Sequence, residues 1–76
     1  MMVFKVGARY RLKQDVERFP FFIARAGMTG SVIYDDGNEV LLRMDELLDG
    51  AEEWDNYIQW IRADGADPAE DLEPLN

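Results

Sequence analysis

The chain has 76 residues, no cysteine, no histidine and a formal net charge of −8. A fold of this length hides only about 60% of the surface its unfolded chain exposes, so there is room for one small core. The composition excludes disulfide staples, zinc–thiolate sites and thiol nucleophiles, and the surplus of carboxylates opposes general attraction to nucleic acid or anionic lipid.

With 47% hydrophobic and 12% aromatic residues, the chain is too apolar for a disordered segment, and we expect one domain that folds alone. The lack of cysteine suits a reducing, cytoplasmic setting. The start, Met1-Met2-Val3-Phe4-Lys5, has no apolar run of signal-peptide length, and no stretch approaches the ~20 apolar residues of a membrane span. Charge is unevenly spread. Residues 1–34 sum to +4, through Lys5, Arg9, Arg11, Lys13, Arg18 and Arg25, whereas residues 35–76 sum to −12.

In chain order, Val6 to Lys13 alternates Ala8, Tyr10 and Leu12 with Arg9, Arg11 and Lys13, the period-two pattern of a half-buried strand. Gln14 to Pro20 is polar until Phe19-Pro20 interrupts it and predicts a long loop. Phe21 to Arg25 suits a short strand, followed by a turn through Gly27 and Gly30. Ser31–Tyr34 and Glu39–Met44 then flank Asp35-Asp36-Gly37-Asn38, a hairpin signal because Asp-Gly suits primed turns.

Between Asp45 and Ile61 two readings compete. Leu47, Leu48, Ala51, Trp54, Ile58 and Ile61 fall at helical spacing, yet Gly50 and Asp55-Asn56 count against a continuous helix, and Asn56 to Ile61 also suits a strand. The favoured reading is an acidic loop with a helical turn, then a closing strand. Residues 63–76, with Asp64, Asp67, Glu70, Asp71, Glu73, Pro68 and Pro74, read as a flexible acidic tail unless Leu72 and Leu75 pin it. The expected organisation is one domain over residues 1–62 and a tail over 63–76. Its class is mainly β, a small barrel with a core that includes Tyr10, Leu12, Val32, Val40, Leu42, Ile58 and Trp60.

Val6-Gly7-Ala8-Arg9-Tyr10, the glycine-bracketed Ala26-Gly27-Met28-Thr29-Gly30-Ser31-Val32, Val40-Leu41-Leu42-Arg43-Met44-Asp45 and Trp54-Asp55-Asn56 together resemble an SH3-like barrel of the KOW type. The similarity spans roughly residues 6–61. It implies a binding platform more than a catalyst, because such barrels host many functions. The acidic second half departs from nucleic-acid-binding members.

Without histidine or cysteine, the commonest general base and the thiol nucleophile are absent, and Thr29 and Ser31 have no evident activating base. The expectation is a non-enzymatic domain that needs no cofactor and no metal. Asp35, Asp36, Asn38 and Glu39 fail the calcium-loop spacing, and Gly27 and Gly30 lack the lysine of a phosphate loop.

The sharper candidate is Asp45, Glu46, Asp49, Glu52, Glu53 and Asp55, six carboxylates within eleven positions around Leu47, Leu48 and Trp54. Such a cluster can imitate nucleic-acid phosphates toward a basic groove, or simply be a solvated face that confers solubility. Phe19, Phe21 and Phe22 around Pro20 form a second candidate contact, and Trp60 is expected in the core with Trp54 at a rim.

The reading expected from these residues is an acidic protein-binding domain whose partner is a protein with a basic surface, such as a nucleic-acid-binding complex. An inhibitor that mimics nucleic-acid charge, of phage or anti-CRISPR type, fits the size and charge. Two alternatives are an adaptor using an edge strand or the aromatic loop, and a nucleic-acid binder using the N-terminal bases.

Overall fold

The computed structural model describes residues 4–18 and 22–75. The chain forms a mainly β domain in which a curled five-stranded sheet makes a half-barrel beside a small two-stranded sheet. Its strands are β1 (Arg9–Leu12), β2 (Val16–Arg18), β3 (Phe22–Ala24), β4 (Thr29–Asp35), β5 (Glu39–Met44), β6 (Tyr57–Ile61) and β7 (Leu72–Pro74). The large sheet runs β6-β5-β4-β1-β7 and the small one pairs β2 with β3, with every pairing antiparallel.

β1 is shorter than the alternation from Val6 predicts. Gly7 adopts φ 92° and the Ala8 amide donates to the Lys5 carbonyl at 3.0 Å, so the chain turns before the strand begins. The stretch after it, expected to be loop, contains β2. Val16 turns inward at 3% exposure and pairs with the fully buried Ala24, and the alternation Val16-in, Glu17-out is too short to stand out from its polar neighbours.

The β4–β5 hairpin forms where Asp36-Gly37 predicts it, although only Gly37 in the turn has positive φ, so the turn is not the two-residue type that needs two such residues. The Asp36 carboxylate substitutes by accepting from the amides of Asn38 (2.9 Å) and Glu39 (2.7 Å). Gly30 is required by packing: a Cβ there would lie 2.4 Å from the Arg43 carbonyl oxygen on the neighbouring strand.

Of the expected core, Leu12, Val32, Val40, Leu42, Ile58 and Trp60 are buried, and Tyr10 packs half-buried with its ring edge-on to Phe4 at 5.0 Å. Phe4, Val16, Ala24, Met44, Leu48 and Leu72 complete the cluster. At the hairpin end, the solvent-inaccessible Asp35 side chain accepts from the Phe4 amide (2.7 Å), the Gly37 amide (2.8 Å) and Arg62 (3.0 Å). Burial alone would raise its pKa, but these donors outweigh burial and hold the carboxyl below its ordinary value.

Residues 63–75 do not fray. The Asp67 side chain caps the short helix α1 (Pro68–Asp71) by accepting from the Ala69 amide at 3.0 Å, and β7 then pairs with β1. Leu72 is the pin, at 4% exposure, and Asp71 accepts from the Trp60 indole at 2.7 Å and from Gln14 at 2.6 Å. Residues 72–74 are therefore an edge strand of the main sheet, and β6 forms the opposite edge. No helix among the described residues is long and apolar enough to cross a membrane.

Candidate functional site

The acidic segment is the connection from β5 to β6, residues 45–56, and it has a defined internal architecture. The buried Leu48 anchors it to the core, and the Asn56 side chain holds it from below. Asn56 accepts from the Leu48 amide (2.8 Å) and donates to the carbonyls of Glu46 (2.8 Å) and Met44 (3.3 Å). Gly50, at φ 95°, bends the chain into the 3₁₀ turn Glu53–Asp55, which buries none of its residues. The favoured reading of loop, helical turn and strand is the observed one, and a continuous helix is absent.

Of the seven residues expected to bind a partner, all are exposed, and one is already engaged within the chain. Asp45 stands apart. It takes two hydrogen bonds from Arg9 (2.7 and 2.5 Å) and one from Thr29 (2.5 Å), which hold its carboxyl at about 2. Its charge is thus compensated within the framework. Asp49 bridges to Ile23 of β3 through the backbone while its side chain is exposed.

Glu52, Glu53, Trp54 and Asp55 are consecutive and exposed, and Trp54 stands out at 81% exposure, with Leu47 at 57%. Among the described residues no lysine or arginine pairs with Glu46, Asp49, Glu52, Glu53 or Asp55. Nor do three acidic side chains converge there closely enough to hold a metal ion.

The basic half of the sequence is placed differently. Arg9, Arg11 and Arg25 pair with Asp45, Glu73 and Asp15, at 2.5, 2.7 and 3.5 Å. Arg18 lies over the Trp60 ring, 5.8 Å from its centroid, and donates to the Gln59 carbonyl at 3.2 Å. Half of the six N-terminal bases therefore face carboxylates of this same chain.

Beside the acidic loop runs a groove of about 390 Å³ that the sequence did not reveal. It is lined by Arg18 of β2, Phe22 of β3, Tyr57 and Gln59 of β6, and Gly50, Ala51 and Asp55 of the loop. Phe22 is the one member of the expected aromatic contact placed here. Phe19 and Phe21 lie outside the described residues. Trp60 is core, as its context predicts, and Trp54 is exposed.

Compared with protein-family models, curated proteins and solved structures, the chain matches none.

Proposed function

We propose that this chain is a non-enzymatic, acidic protein-binding domain that engages the basic surface of a nucleic-acid-binding protein. The observation that carries this reading is the Glu52–Asp55 turn. Its three carboxylates have no cationic partner among the described residues, and the indole between them is four-fifths exposed. An exposed tryptophan is a frequent anchor of protein interfaces, and burying a large apolar side chain contributes roughly 1.5–3 kcal/mol. Flanking carboxylates steer a basic surface toward it and disfavour acidic competitors.

The arrangement favours this reading over nucleic-acid binding through the N-terminal bases, because Arg9, Arg11 and Arg25 are already compensated. Occupying a groove built for phosphates would make the domain an inhibitor of its partner. The resemblance to KOW-type barrels supports a binding platform. Capture from a nuclease-treated lysate tests the reading: the wild type should retain basic proteins released by moderate salt, and a Glu52→Lys/Glu53→Lys/Asp55→Lys variant should not. Equal retention by both would overturn it.

A further inference from the structure

The half-barrel has a seam, and backbone geometry shows what the seam offers. In the β5–β6 ladder Glu39 faces Ile61 and Arg43 faces Tyr57. The Arg62 amide donates to the Asn38 carbonyl (2.8 Å) and the Met44 amide to the Asn56 carbonyl (3.1 Å). Because hydrogen-bonded pairs alternate in an antiparallel ladder, residues 56, 58, 60 and 62 bond to β5, and Tyr57, Gln59 and Ile61 direct their backbone groups away from the sheet. Two contacts agree with this assignment, since Arg18 donates to the Gln59 carbonyl and the Ala66 amide donates to the Ile61 carbonyl at 3.3 Å. Among the described residues, the Tyr57 amide and carbonyl and the Gln59 amide have no backbone partner on that side.

This outward row borders the groove lined by Arg18 and Phe22, so β6 and the small sheet flank a slot bridged by one arginine. An extended chain laid along β6 would find backbone donors and an acceptor on one side and the Phe22 and Tyr57 rings beside them. The loop end of the slot carries Asp55, with Glu52 and Glu53 on the same turn, which selects a cationic occupant.

We infer that the slot binds an extended, lysine- or arginine-bearing segment of the partner, which adds a strand to the outer edge of β6. The inference rests on the proposed acidic binding surface and assigns its mode of recognition.

The test uses a fluorescent heptapeptide, Lys-Val-Lys-Phe-Lys-Val-Lys, and two forms N-methylated on alternate amides, one form for each row. Strand addition presents one row to β6, so one methylated form should lose about tenfold in affinity, the equivalent of one or two hydrogen bonds, while the other binds like the parent. Gln59→Pro removes an outward amide without removing a β5 ladder bond and should weaken the parent peptide about tenfold beyond any effect of Gln59→Ala, which loses the same side chain and keeps the amide. Absence of peptide binding, or equal binding of both methylated forms, overturns the inference. If affinity for the peptide or for a folded basic protein still falls with salt and in the Glu52/Glu53/Asp55 reversal, the acidic-surface reading survives that failure. Row-dependent binding indifferent to the reversal would instead retain the edge and remove the acidic reading.

Discussion

The Asn56 carboxamide donates to the Glu46 carbonyl at 2.8 Å, and the same side chain accepts from Leu48, so one residue sets the path of the acidic loop. Replacing it with alanine leaves a part-buried amide and two carbonyls without these partners, which costs about 1–3 kcal/mol. For a domain of this size each kcal/mol lowers the melting temperature by roughly 4–8 °C. Asn56→Asp keeps the acceptor for Leu48 but turns an anionic acceptor toward the Glu46 and Met44 carbonyls, so calorimetry at neutral pH should place it below wild type, with part of the loss recovered as the carboxyl protonates. An alanine variant that melts with the wild type would show that the loop does not depend on Asn56.

The Arg9–Asp45 pair gives a pH dependence with a definite direction. Asp45 titrates at about 2 when folded against an ordinary 3.8, because Arg9 and then Thr29 donate to its ionised form. A carboxylate with a lowered folded pKa stabilises the fold fully above its unfolded value and loses that contribution as pH falls toward the folded one. Acid unfolding should therefore draw on this pair between about pH 4 and pH 2, with the lowered pKa of Asp35 acting in the same direction. In Arg9→Ala, carboxyl NMR should show Asp45 moving up toward its ordinary value. An unchanged titration would assign the shift to Thr29 instead.

Much of the fold was legible because its signals are local. Alternation marked β1, Asp36-Gly37 marked the β4–β5 hairpin, and Gly50 with Asp55-Asn56 argued against a long helix before β6. β2 was missed because a three-residue strand with one buried residue, Val16, gives too little pattern. The acidic tail was misread because composition dominated, while Leu72 is a single apolar residue whose partners are about sixty positions away in β1. At the site, Trp54 and the carboxylates of its turn were visible in the sequence as an exposed acidic cluster. That Asp45 belongs to Arg9, and that Phe22 and Tyr57 line one groove, depends on the packing of distant strands that no local spacing encodes.

The pinned C-terminus is tested by Leu72→Ala. Truncating a buried leucine typically costs about 2–5 kcal/mol, and β7 should loosen with it. Hydrogen exchange should then accelerate at the Leu75 amide, which donates to Arg9, and Trp60 should lose the protection that Asp71 and the segment around it provide. Unaltered exchange and stability would mean that β7 is held by its backbone ladder alone.

The central claim is that the Glu52–Asp55 turn binds a basic protein surface, and calorimetry across a salt series tests it most directly. The titrant is a basic protein recovered on the wild-type domain from nuclease-treated lysate, and the variant is Glu52→Lys/Glu53→Lys/Asp55→Lys. These side chains are exposed, so the reversal should leave the fold intact, with each surface change within about 0.5 kcal/mol. Wild-type affinity should fall steadily as salt rises, because charges at a wet rim are screened over about 8 Å at physiological ionic strength. The triple reversal should weaken binding by about 10- to 100-fold, corresponding to roughly 1.4–2.8 kcal/mol, and flatten its salt dependence. An affinity that is indifferent to both the salt and the reversal would contradict the account.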